Sequence, residues 1–248
     1  MKEIKYEMQT LSSLILSPRA GQALYKDVDE FGTEAEVSNN GGKEVNCIYP
    51  FYQYGEYKKY HPNDAEYYIP GSSVKGALLS GGNRNTLMAD DVQVKNSDIV
   101  LRNLYKAQHL QETKEAKFSV FFENVGVEMV KAGANLRGSL YLKDDVKFSV
   151  ILKSANEDTR KKMKQMQAYI RELLKLHGNE EKFSTELKTI KKELFQVLEY
   201  NNVILLGGYK GLLHSILLKV KQKEYSSGIY IDDEKHLPHG IVRLTYKE

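Results

Sequence analysis

The residues best suited to binding an anion lie in a short segment that contains a proline followed by a glycine. Residues 67–80 read Tyr-Tyr-Ile-Pro-Gly-Ser-Ser-Val-Lys-Gly-Ala-Leu-Leu-Ser. The proline favours an extended residue before it, so a helix can begin after the turn with Ser72 or Ser73 as its N-cap. Unpaired N–H groups at the helix start, two hydroxyls and Lys75 could together hold an anionic oxygen such as that of a phosphate. An ordinary capped helix start would contain the same residues.

A second segment supplies three glycines and a lysine between two apolar runs. Residues 205–212 read Leu-Leu-Gly-Gly-Tyr-Lys-Gly-Leu, and we expect a strand-to-strand turn there. The segment lacks the Gly-x-x-x-x-Gly-Lys-Ser/Thr spacing of a nucleotide-binding P-loop. Its glycines would let the backbone approach a ligand or another strand closely, and a tight hairpin would explain them equally well.

These two segments together resemble the two signature motifs of the RAMP superfamily, the RNA-binding subunits of CRISPR effector complexes. The early motif, residues 69–78, is similar in its full ten-residue form. Residues 11–21 are similar to the family's first strand and the loop after it, and residues 238–244 are similar to the closing strand of type III subunits. Within the family the chain looks most like the type III-A subunit that caps the guide RNA near its 3′ end.

The resemblance implies a non-catalytic subunit that binds guide RNA (crRNA) in a type III CRISPR-Cas ribonucleoprotein interference complex, in antiviral defence. Such a subunit would contact the guide backbone near its 3′ end without reading base sequence, and would cap the filament of backbone subunits. Its expected partners are the guide RNA, other RAMP subunits and target RNA, with no cofactor and no metal. The residues expected to contact RNA are Arg19, Gly71, Ser72, Ser73, Lys75, Arg84, Lys106, Lys117, Arg137, Gly208, Tyr209 and Lys210.

The main alternative is an endoribonuclease of the same superfamily that cleaves precursor guide or target RNA. It could use His214 as a general base, or Asp27 and Asp29 to hold a metal that activates water or a 2′-hydroxyl. The six histidines show no metal-ligand spacing, and we predict no nuclease activity. Two further alternatives are a backbone subunit of the same complex and a scaffold that binds only protein.

The composition is that of an ordinary globular protein, with 41% hydrophobic and 28% charged residues among 248. Lysine and arginine number 36 against 33 aspartates and glutamates, a net charge of +3 that permits a nucleic-acid partner without requiring one. Cys47 is the only cysteine, so an intrachain disulfide and a cysteine-built zinc site are excluded. No apolar run is long enough to cross a bilayer and no apolar signal core is present, so we expect a cytoplasmic protein.

The order of predicted elements, strand, helix, strands, helices, strands, indicates an α+β fold. The resemblance implies a ferredoxin-like (RRM-like) RAMP core in one domain, residues 1–248. It also implies a loop-rich insertion after the first strand, at about 22–66, and a helical hairpin insertion at about 155–200.

Individual strands are predicted from apolar runs and from alternation. The apolar run 14–16 is expected to form a strand near the centre of the sheet. Residues 118–130 and 135–152 alternate apolar and polar side chains, and the turn between them predicts a hairpin of two paired strands. Residues 241–246 are expected to form a terminal strand.

Helices and the tyrosine-rich segment complete the prediction. Residues 155–200 have the apolar periodicity of two helices separated by His177-Gly178-Asn179. The basic residues at 160–164 are expected to lie on a solvated helix face. Seven tyrosines within residues 49–68 could alternate in a β-hairpin that packs on the domain, or stack on single-stranded bases.

Overall fold

The structure is a computed structural model of the chain. It describes residues 1–18, 25–26, 47–57, 60–79, 87–110, 115–121, 125–143, 145–176, 181–207, 211–215, 217 and 228–247. These residues include a short 3₁₀ helix (Asn96–Asp98) and four α-helices: α1 (Gly71–Leu78), α2 (Phe148–Leu176), α3 (Glu181–Val197) and α4 (Gly211–Ser215).

The strands form three larger sheets and one small ladder. In chain order they are β1 (Lys2–Thr10), β2 (Tyr25–Lys26), β3 (Cys47–Tyr49), β4 (Tyr68–Ile69), β5 (Leu87–Ala89), β6 (Val92–Gln93), β7 (Ile99–Arg102), β8 (Tyr105–Leu110), β9 (Glu115–Val120), β10 (Val125–Val130), β11 (Asn135–Leu142), β12 (Val203–Leu205), β13 (Gly228–Asp232), β14 (Leu237–Pro238) and β15 (Ile241–Lys247). The predicted α+β class is confirmed as a mixed fold whose sheets are mainly antiparallel.

The central sheet has the strand order β12-β15-β1-β11-β5, and its neighbours are all antiparallel. Strand β1 lies in the middle, and it buries Ile4, Tyr6 and Met8 while the residues between them are exposed. The terminal strand β15 pairs with β1, as predicted. Helices α1 and α2 pack on the buried face around one hydrophobic cluster that contains Val74 and Phe148.

The prediction of a central strand at 14–16 is wrong, because the central strand comes earlier, at Lys2–Thr10. Charged residues alternate with the apolar residues of β1, so the strand contains no apolar run. A half-buried strand is instead recognised by this alternation with a period of two residues. Leu14 instead forms an isolated β-bridge to Val130 of β10, which belongs to another sheet. Its amide donates to the Val130 carbonyl at 2.8 Å, and the Val130 amide donates back at 2.9 Å.

The predicted hairpin of residues 118–130 and 135–152 is also wrong. Strand β10 pairs with β3 and β7, whereas β11 pairs with β1 and β5, so the turn between them joins two different sheets. The end of β1 contacts this turn, because the Thr10 amide donates a hydrogen bond to the Ala134 carbonyl at 3.0 Å. Strand β11 ends at Leu142, since the apolar residues that follow are spaced three and four apart and begin α2.

The helical pair is confirmed, and α2 begins seven residues earlier than the predicted start at 155. The two apolar stripes are buried together in a second cluster with β12 and β13. The break at 177–179 falls outside the described residues. Within the part of the chain that the structure describes, no helix combines the length and apolar character needed to cross a membrane.

The tyrosine-rich segment folds as a hairpin that packs on the domain. The Tyr54 amide donates to the Glu66 carbonyl and the Tyr68 amide to the Tyr52 carbonyl, both at 3.0 Å. Tyr67 is buried, whereas Tyr54 is half-exposed and stacks on Tyr68 with ring centroids 4.1 Å apart. The packing hypothesis is therefore confirmed, and base stacking stays a prediction.

Candidate nucleic-acid interface

The start of α1 is capped by a residue from another part of the chain. The Gly71 amide donates to Oδ1 of Asp91 at 2.7 Å, and the residue at the N-cap position, Pro70, makes no side-chain cap hydrogen bond itself. The prediction that Ser72 or Ser73 caps it is therefore wrong. Gly71 is required for close packing, because a Cβ at this position would overlap the carbonyl oxygen of the neighbouring strand β5.

This cap changes where an anion could bind. The Asp91 carboxylate occupies the position at the Gly71 amide that the sequence suggested for a phosphate. It also accepts a hydrogen bond from the Tyr54 hydroxyl at 3.1 Å. A phosphate at this helix start would meet a carboxylate, so this position is unfavourable for an anion.

Another face of α1 lines a groove of about 480 Å³, which we call the α1–α4 groove. Five parts of the chain meet there: the segment after β1, the tyrosine hairpin, α1, α2, and the region from β12 to α4. The lining residues are Leu16, Ser17, Tyr52, Ser73, Gly76, Ala77, Thr159, Lys162, Leu205, Gly207, His214 and Ser215. Thus the structure brings the early motif and the glycine segment, which are more than 120 residues apart in sequence, to one groove.

Backbone contacts between the motif segments build the wall of this groove. Gly207 has φ of +112°, and a Cβ there would lie 2.5 Å from the Ile15 carbonyl oxygen. The Leu206 amide donates to the Gly240 carbonyl at 2.8 Å, and the Gly240 amide donates to the Ser13 carbonyl at 2.9 Å. Glycine at 207 therefore lets two loops touch through their backbones.

The chain after Gly207 differs from the predicted strand-to-strand turn. The five-residue helix α4 follows, and it packs on α2 and β13. Leu213 and His214 are both buried in it, and Gln165 of α2 donates to the Leu213 carbonyl at 3.0 Å. The start of the apolar run that suggested a strand, at Leu213 and His214, is thus buried in one helical turn.

Lys162 is the cation of the groove, and the sequence interpretation placed it on a solvated helix face. Burial lowers the pKa of this ammonium, and Asp158, one helical turn earlier, acts in the opposite direction. None of the groove-lining residues in the described chain is acidic. A half-buried ammonium in a groove that is also lined by hydroxyl groups suits an anionic oxygen.

Contacts of α2 with β12 set the position of Lys162. The Thr159 hydroxyl accepts a hydrogen bond from the Leu205 amide at 3.2 Å, and the Asn156 side chain donates to the Val203 carbonyl at 2.9 Å. Lys162 lies three residues after Thr159 and four before Met166, both of which are buried. This spacing places it on the flank of the buried stripe, which is the sequence signal that could have identified it.

Of the residues predicted to act on RNA, Ser73 and His214 line the groove. The side chain of His214 is fully buried. Gly71, Ser72 and Lys75 are not among the lining residues, and Lys75 is rotated about 200° from Ser73 around the helix. Seven predicted residues fall outside the described part of the chain: Arg19, Asp27, Asp29, Arg84, Gly208, Tyr209 and Lys210.

The remaining predicted contacts lie on other strands. Lys106 in β8 places its ammonium 4.5 Å from the centre of the Phe121 ring, and burial lowers its pKa. Lys117 is exposed on β9, and Arg137 is exposed on β11 with its guanidinium 3.0 Å from Glu7. In the described residues, no three His, Cys, Asp or Glu side chains are grouped as a metal site, and the absence of nuclease activity stays a prediction.

A buried polar network holds the segment after β1 against the end of β13 and the turn before β15. The Ser13 amide donates to Asp232 at 2.7 Å, and its hydroxyl lies 2.9 Å from Nδ1 of His239. Burial alone would raise the pKa of Asp232, but His239, Ser13 and Arg102 together hold it below its ordinary value. Burial lowers the pKa of His239 to about 4, and the Asp232 carboxylate acts in the opposite direction.

The His239 network predicts acid sensitivity. Because the folded pKa is below the unfolded value, the contribution of neutral His239 to stability is complete above about pH 6.5 and is lost as pH falls toward 4. We expect the free energy of unfolding to fall by about 2 kcal/mol between pH 7.5 and pH 5 from this group. Urea unfolding at both pH values measures the change. His239→Gln should flatten the pH dependence, and an unchanged slope in this variant would contradict the assignment.

Comparison with known proteins gives a match in structure and none in sequence. No protein-family model matches the chain, and no curated protein matches it significantly. One similar structure is a chain of the cryo-EM structure of a Csm-crRNA-target RNA ternary complex in a type III-A CRISPR-Cas system. It is 11% identical, with a TM-score of 0.57, over 98% of this chain and 100% of that chain.

A chain of a type IV-B CRISPR complex was also found. It is 10% identical, with a TM-score of 0.27, over 62% of this chain and 79% of that chain, which is below the level of a shared fold. The first comparison therefore shows the fold: over nearly its whole length, the protein shares the fold of a chain from a Csm complex of the type III-A system.

Proposed function

We propose that the protein is a non-catalytic subunit that binds guide RNA in a type III CRISPR ribonucleoprotein of antiviral defence. In this proposal it holds the sugar-phosphate backbone near the 3′ end of the guide, and it caps a filament of other RAMP subunits. The observation that carries the proposal is the α1–α4 groove, where both family-like motifs meet around a half-buried lysine and none of the described lining residues is acidic.

The chemistry of the groove suits a backbone rather than a base sequence. The polar side chains of its described lining residues are Lys162, His214, Tyr52, Ser17, Ser73, Thr159 and Ser215. An ammonium and hydroxyls can bind phosphate and ribose oxygens, which are the same in every nucleotide. The Ser17 hydroxyl is buried and has no hydrogen-bond partner among the described residues, so it could serve such an oxygen.

The topology of the central sheet is consistent with the ferredoxin-like core that we propose. The chain order β1, α1, β5, β11, α2, β15 follows the β-α-β-β-α-β pattern, and the spatial order β15-β1-β11-β5 places the first strand between the last and the third. Strand β12 extends this core at one edge. Both helices pack on one face, which leaves the loops beside α1 free to form a groove.

Replacing Lys162 tests the proposal directly. We expect Lys162→Ala to weaken binding of single-stranded RNA roughly tenfold, equally for two unrelated sequences, since one phosphate contact is lost. Fluorescence anisotropy at several salt concentrations should show a salt dependence shallower by about one contact. Lys164→Ala is the matched control, because this lysine is exposed on the same helix outside the groove. An unchanged affinity and salt slope in Lys162→Ala would remove the groove from RNA binding.

One observation keeps the endoribonuclease as a second candidate, because His214 lines the same groove as Lys162. Incubating the protein with repeat-containing RNA, with and without a divalent metal, separates the two functions. We expect intact RNA in both cases. Metal-independent cleavage that is lost in His214→Ala would contradict the non-catalytic proposal. Metal-dependent cleavage that is lost in Asp27→Ala or Asp29→Ala would also contradict it.

A further inference from the structure

We propose that the outward face of the central sheet docks a different protein, whose acidic side chain lies between Lys5 and Lys247. We call this the outer sheet face; it lies on β1, β11 and β15 and forms part of a second surface groove of about 950 Å³. The proposal concerns a surface other than the α1–α4 groove, and it does not depend on RNA binding there.

The two lysines form a pair that the fold leaves uncompensated. Lys5 and Lys247 are directly opposite in the antiparallel pairing of β1 and β15, and both line the groove. Side chains opposite each other on one face are close enough to interact, and like charges in such a pair are unfavourable. Within the described residues, neither ammonium has a carboxylate within ion-pair distance. An anion between them would convert a repulsion into two attractions.

The acidic residues around the lysines are already occupied. Glu7 is 3.0 Å from the Arg137 guanidinium, and Glu3 accepts a hydrogen bond from the Ser139 hydroxyl at 3.0 Å. On the far side of the groove, Asp90 accepts a hydrogen bond from Tyr141, and Asp91 accepts one from the Gly71 amide. Each of these described acids thus already has a partner, and in this proposal the carboxylate comes from another molecule. A second copy of this chain that docked through this same face, in a two-fold pair, would offer only these same occupied acids.

Charge and composition favour a protein over a nucleic acid. Three cations line this groove with three carboxylates, namely Lys5, Arg137 and Lys247 with Glu7, Asp90 and Asp91. A polyanion would place successive phosphates beside those carboxylates, whereas a single acidic side chain can sit between the lysines alone. Tyr54 and Met88 are exposed beside this face, and tyrosine, methionine and arginine are enriched in protein interfaces.

Site-specific crosslinking in cells that naturally make the protein tests this inference. A benzoylphenylalanine placed at position 245, on the outer sheet face, should crosslink to one protein at a peptide that contains an aspartate or glutamate. The double variant Lys5→Glu with Lys247→Glu should reduce the yield at least tenfold. Reversing the charge of the identified acidic residue in the partner should restore it.

Two matched variants control for charge and for folding. Lys153→Glu with Lys164→Glu makes the same charge change at exposed positions of α2 and should leave the yield unchanged. Lys5→Glu alone creates a cross-strand ion pair with Lys247, so it should reduce the yield while the protein stays fully folded.

Each other result overturns the inference. These results are a crosslink to RNA, a crosslink between two copies of this chain, no crosslink, or a yield that the charge reversals do not change. Loss of RNA binding in Lys162→Ala is measured on the isolated protein, so the two proposals can fail independently.

Discussion

Glu128→Ala should lower the free energy of unfolding by about 4 kcal/mol, because at least two buried donors lose their acceptor and a cavity replaces the side chain. Glu128 lies in β10 and is almost completely buried. The Tyr67 hydroxyl donates to its Oε1 at 2.6 Å, and the Phe51 amide donates to its Oε2 at 2.9 Å. This carboxyl therefore ties the tyrosine hairpin to the sheet of β10.

The same residue predicts a pH effect opposite in sign to that of His239. Burial raises the pKa of Glu128, and hydrogen bonds from Tyr67, Phe51 and Tyr60 partly offset this effect. Because the folded pKa is above the unfolded value, the contribution of protonated Glu128 is complete below the unfolded value. It is lost as pH rises through the folded pKa.

Glu128→Gln separates the carboxyl's charge from its hydrogen bonds. The amide keeps the shape and one acceptor oxygen, so we expect a loss of about 1–2 kcal/mol and no pH dependence from this position. Urea unfolding of wild type and both variants at pH 5 and pH 8 gives the comparison. A loss below 1 kcal/mol in Glu128→Ala would show that the hairpin does not depend on this contact.

The parts of the fold that the sequence predicted are those with a local pattern. The stripes of α2 and α3 repeat every three and four residues over many turns, so their periodicity alone identifies both helices. The terminal strand β15 is a short run of apolar and alternating residues next to a turn at Gly240. Such signals depend on residues that are close in sequence, and tertiary contacts did not override them.

The parts that the sequence missed depend on distant partners. Asp91 caps a helix that begins 20 residues earlier, and no local pattern marks it as a cap. Strands β10 and β11 look like a hairpin locally, but Thr10, more than 120 residues away, inserts between their ends. Lys162 resembles its solvated neighbours because its environment is set by α4 and α1, which come from two other regions of the chain.

The candidate site was therefore predicted in outline and not in detail. The sequence interpretation paired residues 69–78 with residues 205–212, and the structure brings parts of both segments to one groove. Their contact with RNA stays a prediction. The rotation of successive residues around α1 decides which side chains face the groove. Ser73 and Gly76 line it, whereas Lys75 does not. The cation comes from α2, because the groove is completed by a helix whose position only the folded chain defines.

The backbone contact that closes this groove leads to the second large effect. We expect Gly207→Ala to lower the free energy of unfolding by about 4 kcal/mol, because φ of +112° strains any residue with a side chain and the added methyl would lie 2.5 Å from the Ile15 carbonyl oxygen. Leu14 Cδ1 lies 3.2 Å from the same position, so the methyl has little room on that side. To relieve the overlap, the glycine segment must move away from the segment after β1.

That movement would also separate Gly207 from Ser17, which lines the same groove, so RNA affinity should fall together with stability. Gly76→Ala is the matched control, because it also lines the groove but no atom lies within 4 Å of its added Cβ. Since Gly76 is inside α1, alanine there should raise the free energy of unfolding by about 0.5–1 kcal/mol, opposite in sign to Gly207→Ala. Urea unfolding followed by circular dichroism, with RNA anisotropy on the folded fraction, measures both effects. If Gly207→Ala unfolds within 1 kcal/mol of wild type, the two loops are not in backbone contact and the groove is not closed as described.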